Sequence, residues 1–224
     1  LHALGELMWM HALGRDVCLL SPHGAGKTTV VRRFARLLGY APHVVFCHAD
    51  MASHELLQRR STDTLGGTVW VDSPLVVAAI RGELAVLDGM HRLSPGTLAG
   101  ALAPLLSERC VLSLPDGSRL VSDAHWRHLV ESVPSLHPAE LARLRVRRVH
   151  RSFRVLGCAE PPTQRHPWLT DEILAAHFGF IVLPELSPIE QRMLVATHAC
   201  PPPARPTLEA LLRYESSVRI AAEG

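Results

Sequence analysis

The sequence predicts an α/β fold of three layers, a parallel sheet with helices on both faces. Two observations predict it. Short apolar runs alternate with helix-spaced patterns along most of the chain, and a glycine-rich turn separates the first run from the first helix. Alternation of this kind builds parallel sheets through crossover helices.

The strands come first. DVCLL (16–20), HVVFC (43–47), LAVLD (84–88), FRVLGCA (153–159) and FIVLP (180–184) are near-continuous apolar runs, the pattern of strands buried on both faces. Helices fill the intervals. In KTTVVRRFARLLG, Val30, Val31, Phe34, Leu37 and Leu38 follow helix spacing, and Gly39 supplies a stop. SPLVVAAIRGE and SPGTLAGALAPLLSER each open with a serine N-cap, Ser73 or Ser94, followed by proline at the first helical position. CVLSLPDGSRLVS (110–122) carries a hairpin signal at Asp116-Gly117, which predicts a β-hairpin insertion. Residues 124–149 are polar and predict a helical insertion before the next strand. CPPPARP (200–206) reads as a linker, and the segment after it as one helix of a truncated lid.

Composition narrows the function classes. The 224 residues are 47% apolar and 20% charged, with a net charge of +2 and fourteen histidines. Such a balance demands neither nucleic acid nor an anionic membrane. No apolar run reaches the roughly 18 residues that span a bilayer. Cys18, Cys47, Cys110, Cys158 and Cys200 are odd in number and never form C-x-x-C. That argues against a disulfide framework or a zinc site and suits a reducing, intracellular compartment. A start at Leu1, without a leader pattern, predicts a piece of a longer protein whose targeting segment lies elsewhere.

The turn after the first strand approximates G-x-x-x-x-G-K-[ST], the pattern of a phosphate-binding P-loop. It reads Ser21, Pro22, His23, Gly24, Ala25, Gly26, Lys27, Thr28, with Thr29 next. Gly24 and Gly26 permit tight turns that aim N–H groups inward. Lys27 reaches the outer phosphates, and the Thr28 hydroxyl binds Mg²⁺. The helix beginning near Lys27 adds its positive end. Ser21 replaces the first glycine, and its own N–H is expected to remain a phosphate donor. Asp88, at the end of LAVL, is the second metal candidate, holding the water shell of the ion. The expected organisation is a nucleotide-binding P-loop domain over 1–198, then a linker and partial lid helix over 199–224.

SPHGAGKT, LAVLDG, LSLPDGSRL and FRVLGCAEP, in this order, resemble an AAA+ domain of the dynein-related, MoxR-like branch. The resemblance covers roughly residues 10–190. It implies ATP as the nucleotide, Mg²⁺ as the metal, and neighbouring AAA modules or subunits of the same protein as partners in a ring. It also implies a module of a large mitochondrial multi-module ATPase. Set against an active pattern, three positions depart. Gly89 stands where a Walker B acid follows the aspartate, Glu160 where a sensor asparagine is usual, and His177 where a trans-acting arginine is expected. Loss of a general base costs about 10²–10⁴-fold. Loss of an arginine finger costs about 10³–10⁵-fold. The expected function is therefore ATP binding with weak or absent hydrolysis. Two alternatives stand beside it. In one, Glu160 or His91 replaces the missing acid in an active Mg-ATPase. In the other, the arginine stretch RLRVRRVHRSFR (143–154) binds nucleic acid, although it lacks interleaved aromatics for stacking. The same stretch offers Arg148 or Arg151 as a substitute finger.

Overall fold

The computed structural model describes residues 2–106, 111–132, 137–169, 178–197, 210, 213, 214 and 217. It divides into two compact units, Leu1–Leu183 and Pro184–Gly224. That division falls ahead of the proline-rich stretch that marks the boundary in the sequence. Cys110, Cys200, His177 and nearly all of the anticipated lid helix lie outside the described residues.

In the first unit, five strands form one parallel sheet: β1 (Val17–Leu20), β2 (His43–Phe46), β5 (Leu84–Asp88), β9 (Arg154–Ala159) and β10 (Gly179–Val182), in the spatial order β10-β1-β9-β5-β2. These are the five apolar runs. Alternation across each strand feeds two cores. Val17, Leu19, Val86 and Leu156 pack with Val31 and Phe34 of α2 (Lys27–Leu38) and Leu7 of α1 (His2–Ala12). Cys18, Leu20, Ala85 and Leu87 pack on the opposite face with Leu75 and Val76 of α4 (Pro74–Arg81) and Leu98 and Leu102 of α5. Helix α5 starts as Pro95–Thr97, passes through a π-helical stretch at Leu98–Leu102, and ends as Ala103–Leu106.

Both serine caps form as expected. Val76 N–H donates to Ser73 Oγ at 3.2 Å and Thr97 N–H to Ser94 Oγ at 3.1 Å. Gly39 closes α2, with Tyr40 N–H donating to Ala35 O at 2.8 Å. The neighbours of β9 press close. A Cβ at Gly157 would lie 3.0 Å from Met90 Sδ and 3.2 Å from Cys18 Sγ. At the opposite end of the sheet, Val155 N–H donates to Asp16 Oδ1 at 2.6 Å.

Two insertions leave this frame. The hairpin expected at Asp116-Gly117 is present as β6 (Val111–Ser113) and β7 (Arg119–Val121), and β8 (Val146–Arg148) adds to it in parallel. The polar 124–149 segment is therefore two helices, α6 (Asp123–Ser132) and α7 (Pro138–Arg143), followed by a strand, where the sequence predicted helix throughout. A second hairpin, β3 (Gln58–Thr62) with β4 (Thr68–Asp72), follows α3 (Ser53–Leu57) and was not anticipated. Polar bonds tie the two insertions. Arg147 pairs with Asp72 through both guanidinium nitrogens, Gln58 Nε2 donates to Asp72 Oδ1 at 2.9 Å, and Asp116 N–H donates to Gln58 Oε1 at 3.0 Å.

In the second unit, α8 (Pro188–Thr197) carries a reciprocal N-terminal cap. Glu190 N–H donates to Ser187 Oγ at 3.3 Å, and Ser187 N–H donates back to Glu190 Oε2 at 2.8 Å.

Candidate nucleotide site

Crossing from β1 to the far edge strand β2 creates the kind of crevice, at the carboxyl ends of the strands, where α/β sheets hold ligands. A cleft of about 440 Å³ occupies that position. Its walls bring together His23, Gly24, Gly26, Lys27, Thr28 and Thr29 from the loop and α2 with Asp88, His91 and Glu160. Phe46, Cys47, Gly89, Arg92 and Cys158 complete it.

The loop is built for an anion. Gly24 and Gly26 take φ of 84° and 90°, the left-handed region that suits glycine, and neither has an atom within 4 Å of where a Cβ would stand. Gly26 caps α2 without any side-chain hydrogen bond, so the first N–H groups of the helix stay open toward the cleft. Lys27 Nζ folds onto the loop, donating to Ser21 O at 2.6 Å, Pro22 O at 2.9 Å and Ser21 Oγ at 3.2 Å. Burial lowers the Lys27 pKa, and Glu160, Cys158 and Asp88 act the other way. Ser21 is fully buried, and its N–H donates to Ala159 O at 3.2 Å. This corrects the expectation that its N–H stays available to phosphate. The sheet claims that donor, and the contribution of Ser21 to the loop is instead a carbonyl and a hydroxyl that hold Lys27.

The exposed Thr28 and the half-buried Asp88 line the same cleft. Among the described residues, no group of three or more His, Cys, Asp or Glu could hold a metal ion by itself. This fits Mg²⁺, which keeps several waters and combines one or two protein ligands with phosphate oxygens. The donor set of one hydroxyl and one carboxylate beside an open anion cradle suits that division of labour.

Gly89 departs furthest from a hydrolytic arrangement. It is buried at φ 82°, its N–H donates to Cys158 O at 3.0 Å, and an added Cβ would stand 3.3 Å from Cys47 O. Beyond it, the 3₁₀ turn Met90–Arg92 sends His91 toward Glu160. Glu160 N–H donates to His91 Nδ1 at 3.2 Å, and His91 Nε2 lies 3.7 Å from Glu160 Oε1. With its Nδ1 lone pair engaged by the Glu160 N–H, neutral His91 carries its proton on Nε2, the nitrogen nearer the Glu160 carboxylate. Burial also lowers the His91 pKa, against the pull of Glu160.

Two partners that sequence reasoning missed complete this cluster. Buried Trp168 donates its indole N–H to Glu160 O at 2.9 Å, and His166 Nε2 bonds His91 O at 2.7 Å. Neither sits in a motif, so no sequence signal marked them.

The arginine stretch is largely engaged within the fold. Arg147 is held by Asp72, Arg148 by Asp123, and Arg143 by Glu140. Arg145 donates to Asp116 O at 2.8 Å, and Arg154 Nη1 to two backbone carbonyls. The ion pair with Asp123 removes Arg148 as a substitute finger, because a finger must be free to reach a neighbour.

Comparison with known proteins agrees with this geometry. The family model for the AAA domain (dynein-related subfamily) matches residues 16–175. The chain belongs to the dynein-related AAA family. Among its relatives, von Willebrand factor A domain-containing protein 8 of Mus musculus is 36% identical over 219 residues, covering 96% of this chain and 11% of that protein. An uncharacterized protein of Staphylococcus aureus (strain USA300) is 23% identical over 129 residues, covering 56% of this chain and 45% of the other. In fold, the chain matches the crystal structure of a candidate ATPase from Cytophaga hutchinsonii, with a TM-score of 0.59 at 14% identity, over 87% of this chain and 49% of that one. The chain thus spans about a tenth of the mouse protein and under half of the Staphylococcus aureus one. No helix among the described residues is long and apolar enough to cross a membrane.

Proposed function

We propose that this AAA domain binds Mg²⁺-ATP and hydrolyses it weakly or not at all, serving within a larger multi-module ATPase. The observation that carries the reading is the buried, left-handed Gly89 beside Asp88, with the phosphate loop intact. Lys27 and the open end of α2 hold the phosphate tail, and Thr28 and Asp88 hold the metal, which neutralises phosphate charge when bound. No carboxylate follows Asp88 to polarise water. Neighbouring AAA modules or subunits of the same protein are the partners, and nucleic acid is not, because the arginine stretch is engaged within the fold. The mitochondrial location rests on the sequence resemblance alone and is tested by fractionating cells that express the parent protein.

ATP with Mg²⁺ at about 100 times Kd should stabilise the chain by about 2.7 kcal/mol, a melting shift of roughly 5–10 °C. Lys27→Ala should remove most of that shift. Phosphate release should stay far below one turnover per second. An unchanged melting temperature in saturating Mg²⁺-ATP overturns the binding assignment. The second reading, an active ATPase, is favoured by the Glu160 carboxylate in the cleft beside Lys27. It predicts turnover near once per second, abolished by Glu160→Gln with binding retained.

A further inference from the structure

The place a catalytic acid would fill beside Asp88 is not empty space. A Cβ on Gly89 would stand 3.4 Å from Arg92 Cδ and 3.5 Å from Arg92 Nε. The Arg92 arm therefore lies over Gly89, in the direction from which a side chain at that position would enter the cleft. Arg92 is exposed, lines the cleft with Lys27, Thr28 and Asp88, and its guanidinium makes no hydrogen bond or ion pair with any described residue. Its charge is felt inside the site. Burial pushes the Cys47 thiol up to about 12, Asp88 adds to this, and Arg92 pulls the other way. A free guanidinium in an anion cleft is unusual on energetic grounds, because Asp88 and Glu160 are both there to be paired, yet the arm reaches neither.

We propose that Arg92 binds the terminal phosphate of a nucleoside triphosphate in cis, so that this site has a phosphate-holding cation where an active site has a water-activating acid. The assignment rests on the nucleotide-binding reading above. A left-handed glycine makes it possible. A Cβ at 89 would crowd Cys47 O at 3.3 Å and meet the Arg92 arm in van der Waals contact, so glycine leaves that arm free to lie over the position. Planar, bidentate geometry suits the guanidinium to phosphate oxygens, and the interaction with a triphosphate exceeds that with a diphosphate because only the former extends to the outer position.

The test is the affinity of the chain for Mg²⁺-ATP and for Mg²⁺-ADP, measured by calorimetry on the parent, Arg92→Gln and Arg92→Lys. Arg92→Gln should weaken ATP about tenfold or more and ADP by less than about threefold, with Arg92→Lys between the two. Equal loss of both nucleotides, or no loss of ATP, overturns the proposal while leaving nucleotide binding intact. No binding of ATP by the parent removes the nucleotide reading, and this proposal with it. A trans contact is separable too. Adding Lys27→Ala chains with an intact Arg92 to Arg92→Gln would restore ATP affinity if the arginine served a neighbour, and that result overturns the cis assignment.

Discussion

At the scale of single residues, Gly89 limits how this site can be altered. Restoring the acid looks like a one-residue repair in the sequence, yet φ of 82° is a conformation that costs a side-chain-bearing residue about 1–2 kcal/mol. Gly89→Glu should lower stability by about that amount and fail to raise phosphate release. Gly89→Asn, which tolerates the left-handed region, should lose less. Thermal unfolding and a phosphate assay on both variants check this. The phosphate loop, Asp88 and Glu160 were legible in the sequence because each follows a strand in a known spacing. Arg92, His166 and Trp168 were not, since their contributions depend on a side-chain direction that no spacing encodes. Asp16 gives a pH test away from the cleft. Burial raises its pKa from 3.8 to about 6, while the Val155 N–H and Arg154 act in the opposite direction. A raised folded-state pKa means stability that is fully present below 3.8 and is lost as pH rises through about 6. Asp16→Asn should therefore come close to the parent near pH 4 and exceed it by about 2–3 kcal/mol near pH 7, in urea unfolding at both values.

At the scale of elements, the five core strands were readable because both faces of each are buried, so apolar runs mark them without ambiguity. The hairpin β3/β4 was not, because its residues are mostly exposed and Gln58–Thr62 is polar throughout. Strand β8 hid for the same reason, its arginines looking like a solvated helix face. Leu112, Leu114 and Leu120 anchor the β6–β8 insertion in the apolar core, and what ties the two insertions to each other is ionic and polar. Asp72 and Arg147 are each less than a third exposed, Gln58 also donates to Asp72, and the Asp72–Arg147 pairing lowers the Asp72 pKa and raises that of Arg147. Removing one partner leaves the other half-buried and unpaired. Asp72→Ala and Arg147→Ala should each cost about 2–3 kcal/mol, and the double variant should cost at least about 1 kcal/mol less than the sum. Additive losses in denaturant unfolding would show that the pair contributes nothing as a pair.

At the scale of the whole molecule, the net charge is +2, and Arg143, Arg147 and Arg148 of the arginine stretch are in ion pairs with carboxylates of the same chain. Oligonucleotide binding should be weak, with a log–log salt slope smaller in magnitude than about 3. A steeper slope, lost on changing Arg151, would revive that reading. The three-layer architecture followed from the alternation of apolar runs with helix-spaced patterns and from the glycine-rich turn after the first run. The sequence reading sets a linker and partial lid helix over 199–224, and the compact units divide at 183/184.

Gly157 carries the last consequence, which concerns descent. Its missing side chain lets Met90 and Cys18 close over the middle of β9, and Met90 opens the turn that carries His91 and Arg92. Positions 18, 90 and 157 therefore share one fixed volume. Among relatives, a side chain gained at 157 should arrive together with a smaller residue at 18 or 90, and lineages that keep glycine at 157 should be the ones that keep a bulky residue at 90.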